Sequence, residues 1–425
     1  SCMTIALRQR PLARVVAGIV RANDGAIFDA SDMSTMFQDA AGSTPVTAVE
    51  QPVGKMLDKS GNGYHATQSV TASRPTLSAR YNLLTKTEDF ADAAWIKTNA
   101  VVSSAPVNIY DLPASSLVCG TTINTGKFIT QSVNLVVGVT YVIGIFVKNN
   151  GGAFIRVGSE TPPFGGLDFN FSSPSGNYIY FGDDTYFIWF SYTPTTSTNT
   201  LAIGGKYKSA QLCSCYISGA LCRESSSSKY QRVNTATDYD TDERYFPKYL
   251  RFDGIDDYLN LPYMGLYGGG VASIVCARDA VSQATDTYII SERSTTDANP
   301  KYFPSRQLSN AGNMDAYITD DAGAIVLDTV GSPFSGVANA VIRSIVDSGN
   351  NLKLFKNGVL AANDNYTRSG ALTLNNTTIG ASVSTTTSNY ASMKLYGLIV
   401  TKSALTDAQR ITCERYLGRK SGVQL

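Results

Sequence analysis

Residues 58–68 read DKSGNGYHATQ and hold the only histidine of the chain, His65, beside Asp58, Lys59, Ser60 and Asn62. An acid, a hydroxyl and a base so close in sequence raise the question of a nucleophilic site. Such a site needs the base within hydrogen-bond reach of the hydroxyl and a third group to orient it. The spacing predicts something plainer. Ser60-Gly-Asn-Gly forms a tight turn in which Gly61 and Gly63 supply positive φ, and His65 falls in the strand that follows. An aspartate ahead of such a turn accepts hydrogen bonds from its backbone. The stretch is read as a structural turn, and no catalytic residue is assigned to it.

Three further groups could do chemistry. In FDGIDDYL, Asp253, Asp256 and Asp257 place three carboxylates within five residues, a start on the six to eight oxygens that Ca²⁺ takes. The same residues also make ordinary tight turns, so calcium is only a weak candidate and no other cofactor is expected. Cys213 and Cys215 point to one face of a strand near Cys222. A zinc site would need a fourth ligand at suitable spacing, so these are read as small buried residues. Glycoside hydrolysis needs two carboxylates flanking the scissile bond. The seven glutamates come no closer together than 19 residues (Glu224 to Glu243), which leaves only an aspartate site assembled from distant loops. No phosphate-cradling or dinucleotide-binding glycine motif is present.

Sugar binding without cleavage would use aromatic rings as flat platforms. Trp95 and Trp189 are the two tryptophans; both fall in strand-rich sequence and are favoured as core. Tyr263 and Tyr267, in the glycine-rich stretch PYMGLYGGGVAS, are the better candidates for exposure.

The elements that must position these residues are mostly strands. FITQSVNLVVGVTYVIGIFVKNN (128–150) and NYIYFGDDTYFIWFSYTP (177–194) each give two β-rich runs around a turn. Asn357-Gly358 in NLKLFKNGVLAAND suits a type I′ hairpin turn. Helices are expected at SDMSTMFQDA (31–40), capped by Ser31, and at SALTDAQRITCERYLGRKSG (403–422). The second would be capped by Thr406 and ended by Gly418 or Gly422, with Leu405, Ile411, Tyr416 and Leu417 on its apolar face. Short strands with frequent turns argue for all-β sandwiches.

Composition narrows the function classes. A net charge of +1 with 16% charged residues gives no electrostatic case for nucleic acid or an acidic membrane surface. No run of 18 apolar residues exists to span a bilayer. The basic start, residues 1–24, is too short for a domain and has no cleavage-site pattern; it reads as an arm. An odd count of seven cysteines suits free buried thiols better than a disulfide framework. A strand-and-turn beginning at MLDKSGNGYHATQ would leave a sheet edge bare unless a later segment covers it, and FDGIDDYLNL is suited to do so. Residues 79–244 therefore read as an insertion.

The ordered series DKSGNGYHATQ…ASRPTL, YLRFDGIDDYLNL, LKLFKNG, TIGAS, LYGLIV and ALTDAQRITCERYLGRKSGV resembles the concanavalin A-like, laminin-G-type jelly-roll domains of bacteriophage and prophage virion proteins. The insertion, with NLLTKTEDFADAAWIKTN and AQLCSCYISGALCRESSSSKYQRV, is similar to carbohydrate-binding-module-like sandwiches. The resemblance implies two β-sandwiches: a jelly roll from residues 25–78 and 245–425, ending in a C-terminal helix, with the second sandwich at 79–244. It implies a non-enzymatic protein of the virion, assembled in the bacterial cytoplasm, in a tail fibre, baseplate or head decoration. Its partners would be other virion proteins, docked through residues 1–24, and host surface polysaccharide. A homo-oligomer is expected, with a trimer as the common form. The alternatives are a purely structural decoration or collar protein and, more weakly, a polysaccharide depolymerase.

Overall fold

The computed structural model describes residues 2–123, 125–135, 137–158, 166–205, 210–224, 229–266, 271–279, 287–293, 301–307, 314–319, 325–330, 340–367, 374–383 and 388–425; for 2–11, 287, 301–307, 314–319, 325–330 and 388 only the backbone is described. The protein is all-β, with two α-helices among the described residues, α1 (Cys2–Ala22) and α2 (Asp407–Ser421). It divides into two compact units, the first taking in Ser1–Ala79, Asp242–Ser335 and Asn339–Leu425, the second Arg80–Thr241.

Unit 1 is a sandwich of an eight-stranded and a nine-stranded antiparallel sheet. Its core draws on both, with Phe28, Leu250, Phe252, Ile274, Leu395 and Leu398 from one sheet and Met56, Leu259, Ile289, Ile290 and Ile379 from the other. Each such side chain contributes on the order of 1.5–3 kcal/mol through burial. The strand Ser392–Thr401 joins the two parts of the unit. One edge pairs with Ala272–Asp279, while the other pairs with Ala26–Asp29 over its second half and with Tyr249–Asp253 over its first. Tyr249–Asp253 then pairs with Thr76–Ser78, and in the other sheet Leu259–Leu261 covers the edge of Ala66–Thr67.

α2 begins with a capping box: Thr406 Oγ1 accepts from the Gln409 N–H, and the Gln409 side chain accepts from the Thr406 N–H. It ends at Gly422, whose φ of +77° is the left-handed conformation that glycine adopts without a Cβ penalty. The helix lies on the side of the eight-stranded sheet away from the core. Leu405, Tyr416 and Leu417 are buried, whereas Ile411, expected on the apolar face, is 36% exposed. Tyr416 Oη donates to the buried Asp29 carboxylate at 2.6 Å, where Lys59 and Lys420 also converge. Burial alone would raise this carboxyl, but the two ammonium groups and the hydroxyls hold it at about 2.

Two expectations for helices need correction. Residues 31–40 form a single 3₁₀ turn, Met33–Thr35, followed by the strand Met36–Phe37, which pairs with Lys55–Met56. The Asp39 carboxylate then takes the Gly42, Ser43 and Thr44 N–H groups, fixing a turn where a helix would have continued. Conversely, the segment read as an arm is α1. Val16 and Val20, one turn apart, are fully buried in unit 1, and Arg21 Nε donates to the Ser60 carbonyl at 2.8 Å.

Unit 2 packs a six-stranded antiparallel sheet against a five-stranded one. The 128–150 stretch does form two strands, but Phe128–Asn134 belongs to the smaller sheet and Tyr141–Asn149 to the larger. The core includes Ile143, Ile145, Val147 and Ile188 from one sheet and Ile129, Ile155, Phe169 and Leu201 from the other.

Candidate functional site

The DKSGNGYHATQ turn is built around Asp58. Its Oδ1 accepts from the Ile27 N–H (2.9 Å) and the Ser60 N–H (2.8 Å), and its Oδ2 from the Tyr64 N–H (3.2 Å) and Ser60 Oγ (2.7 Å). Ser60 Oγ is buried and also within reach of the Gly25 carbonyl. His65 faces away from this hydroxyl: its Nδ1 accepts the Asp58 N–H at 3.0 Å. The acid, the hydroxyl and the base all serve the backbone.

In the acidic turn, Asp253 Oδ1 accepts from the Ile255 and Asp256 N–H groups, Asp257 Oδ2 accepts from the Asp253 N–H, and Asp256 Oδ2 accepts from Ser73 Oγ. The three carboxylates each bring an oxygen within 4.8 Å of the others. Burial, then the neighbouring Asp253 and Asp256, push Asp257 up to about 6. A carboxyl raised in the fold keeps its proton after the unfolded chain has lost it, so stability falls as pH climbs from about 4 to 6 and stays lowered above. Asp257→Asn is therefore expected to raise the melting temperature above pH 6 and to leave it unchanged below pH 4, in melts across that range. Ca²⁺ would stabilise the wild type at neutral pH if it bound here, so the same melts with EGTA and with added Ca²⁺ test the calcium candidate.

Cys213 and Cys215 lie buried on one face of the strand Cys213–Glu224, with Cys213 directly opposite Cys119 of the neighbouring strand. Cys222 is also fully buried, and burial pushes its thiol up to about 12. Among the described residues these are free thiols.

The candidate sugar platforms separate. Trp95 is fully buried, its Nε1 donating to the Lys86 carbonyl at 2.9 Å and its ring 5.1 Å from Phe90. It is core and cannot receive a ligand. Tyr263 is 42% exposed, while Tyr267 lies outside the described residues.

Trp189 belongs to a surface that sequence reasoning missed. The strand Thr185–Tyr192 turns Tyr186, Ile188, Phe190 and Tyr192 into the unit 2 core and leaves Phe187 and Trp189 half-buried on the outer face. These two rings stack at 5.5 Å and 21°. Opposite them stand Phe146 and Gly144 of the central strand, and Ile179 of the edge strand pairs with Phe187. Gly144 makes room for the cluster: a Cβ there would sit 2.8 Å from Phe187 Cζ. Gly219, at φ +58°, does the same beside Phe146.

Two turns complete the face. Asp183 and Asp184, both at φ +49°, close the hairpin that carries Phe181. Tyr110 and Asp111, at φ +50° and +62°, close the hairpin between Ala100–Ile109 and Leu112–Cys119. A tyrosine in this left-handed region is unusual and costs about 1 kcal/mol or more. What the conformation achieves is visible: the Tyr110 ring lies 5.6 Å from Phe146 at 9°, and 4.7 Å from Phe181. Tyr110 is 62% exposed, Ile179 50% and Phe181 39%. Behind Phe146, Tyr230 stands edge-on at 6.0 Å and donates to Glu88 at 3.1 Å, while burial pushes the Glu88 carboxyl up.

A two-sheet β-sandwich with an exposed aromatic outer face is the class of protein that this architecture defines. No family model and no curated protein matches the sequence. Solved structures similar to part of the chain include the CBM40 domain of the Ruminococcus gnavus IT-sialidase, at 16% identity over 39% of this chain and 96% of that one, with a TM-score of 0.32. The binding domain of botulinum neurotoxin DC in complex with SialylT shares 14% identity over 40% of this chain and 43% of its own, at 0.32. The leech intramolecular trans-sialidase complexed with 2,7-anhydro-Neu5Ac shares 16% over 41% and 27%, at 0.31.

Proposed function

We propose that the protein is a non-catalytic glycan-binding adhesin and that the outer aromatic face of unit 2 is where it holds its ligand. The observation that carries this reading is Tyr110, an exposed residue held in a strained turn with its ring stacked on Phe146. Backbone strain persists where surrounding structure enforces it, and it clusters at ligand-binding positions. The C–H groups on the apolar face of a pyranose pack on the electron-rich face of such rings, as the edge of one aromatic ring does on the face of another. The virion setting implied by the sequence resemblance, at a tail fibre, baseplate or head decoration, belongs to this proposal.

A glycan array followed by titration of the best hit tests it. Tyr110→Gly relieves the turn while removing the ring, and Phe181→Ser removes the neighbouring exposed ring. Each is expected to weaken binding at least tenfold with an unchanged melting temperature and without release of reducing ends from the glycan. Wild-type affinity in both variants would reject the face as the site.

A second reading has its own support. Ile179 and Phe181 carry no hydrogen-bonding side-chain group, and exposed apolar patches of this kind also mark protein–protein contacts. A structural decoration protein would bind no glycan, and the same two variants would then lose assembly onto the particle.

A further inference from the structure

Unit 1 contains a cleft of about 450 Å³ whose lining includes Lys59, Arg244, Lys248, Arg419 and Lys420, against the single carboxylate of Glu243. This volume is in the range that small ligands occupy. Three separate segments bring the cations together: the DKSGNGYHATQ turn, the stretch after the return from unit 2, and the last turn of α2.

Cations near a helix C-terminus are ordinary complements to its dipole, and that alone would explain Arg419 and Lys420. The disposition of their partners goes further. Lys59 bonds Asp32 at 2.7 Å and Asp29 at 3.2 Å, and Arg244 bonds Asp242 at 2.6 Å. None of these three aspartates lines the cleft. Asp29 is saturated as an acceptor, taking Tyr416 and Lys59 on Oδ2 and the Ser31 N–H and Oγ on Oδ1. Lys420 donates to Ser31 Oγ at 2.9 Å and pairs with Asp29 at 3.5 Å, which leaves it one ammonium hydrogen. Lys248 pairs with Glu243 and likewise has donors left. Arg419 is exposed and makes no hydrogen bond or ion pair among the described residues.

A void whose lining is cationic apart from Glu243, with the aspartate counter-charges set behind that lining and N–H donors of Arg419, Lys248 and Lys420 unused, is built to complement a small oxyanion. We propose that this cleft binds the anionic group of an acidic saccharide, with Arg419, Lys248 and Lys420 as the donors that meet it. The site is separate from the aromatic face; the choice of a saccharide as the bearer of the anion rests on the glycan-binding reading above.

Isothermal titration of the full-length protein at constant ionic strength tests the proposal, with sodium glucuronate, sodium phosphate and neutral galactose as the three ligands and sodium chloride as the balancing salt. Saturable glucuronate binding, absent for galactose and weakened at least tenfold by Arg419→Gln, supports it. Phosphate binding with the same Arg419 dependence but no glucuronate binding would overturn the saccharide assignment. Glucuronate binding that Arg419→Gln leaves intact, or no saturable binding of either anion, would overturn the site. Because Arg419 is exposed and unpaired, the variant is expected to melt with the wild type. Should it not, Lys248→Gln, whose partner Glu243 is largely exposed, provides the same comparison.

Discussion

Asp58→Ala is expected to destabilise unit 1 by about 3–5 kcal/mol, read as a fall in the denaturant midpoint of its unfolding transition. The carboxylate accepts three backbone N–H groups and one hydroxyl, and the residue is only 7% exposed. Each buried donor left without a partner costs about 1–3 kcal/mol, and water has little access to replace the lost oxygens. Ser60 Oγ suffers least, because the Gly25 carbonyl at 2.8 Å remains available to it. Asp58→Asn keeps one acceptor oxygen and should fall between the variant and the wild type. His65→Ala removes only the acceptor for the Asp58 N–H and should cost about 1 kcal/mol. At temperatures where all three stay folded, glycan binding should be that of the wild type. Normal stability in Asp58→Ala together with lost binding or a lost hydrolytic activity would return the stretch to the status of a site.

The second large effect lies where α2 meets the sheet. Glu414 is buried, and its Oε1 accepts from Arg410 Nη1 at 2.5 Å and from Ser344 Oγ at 2.6 Å. Arg410 itself is buried with its guanidinium 3.7 Å from the centre of the Phe355 ring. Removing Glu414 leaves the buried Arg410 guanidinium only the exposed Asp407 carboxylate at 3.4 Å, and stripping one member from a buried pair costs up to about 3–5 kcal/mol. Glu414→Ala should show this full loss in equilibrium unfolding. Replacing both partners together, as in Arg410→Met with Glu414→Leu, should recover most of it, because no lone charge then remains. A double variant no more stable than Glu414→Ala would mean that the ion pair, and not the avoidance of a stranded charge, holds the helix down.

Both sites bear on how much the sequence reveals. α2 was legible because its signals are local: Thr406 and Gln409 at capping-box spacing and a glycine at the end. The Asn357-Gly358 turn was legible for the same reason, and both residues take positive φ, +48° and +81°. The helix expected at residues 31–40 failed because strand pairing to Lys55–Met56, distant in sequence, outweighs a weak local preference. α1 went unread although Val16 and Val20 carry the four-residue spacing of a buried stripe. The structural role of Asp58 was legible from turn chemistry, but its bond to Ile27 was not, since nothing local joins residues 31 positions apart.

The aromatic face was hidden for a different reason. In TYFIWFSY apolar residues occupy both faces of the strand, so alternation cannot say which side is core. Phe187 and Trp189 share one parity and Tyr192 the other, and only the burial of Tyr192 in the folded protein shows which parity faces out. Tyr110 gave no signal, because tyrosine is not a residue from which a left-handed turn would be inferred.

The stitching of unit 1 also favours one order of events during folding. The chain leaves at Thr76–Ser78 and returns at Tyr249–Asp253, and these are adjacent strands. Until they meet, the whole of Arg80–Thr241 is a loop whose closure entropy grows with the logarithm of its length. Within unit 2 the first and last segments are already tied: Gln231 Oε1 accepts the Tyr81 and Asn82 N–H groups, and Asn82 Nδ2 donates to the Gln231 carbonyl. Once the insertion has folded, the loop is short, and closing it becomes cheaper by on the order of 2 kcal/mol. The insertion is thus expected to act as a clasp that folds before the surrounding sandwich closes, an order that pulse-labelled hydrogen exchange during refolding would show.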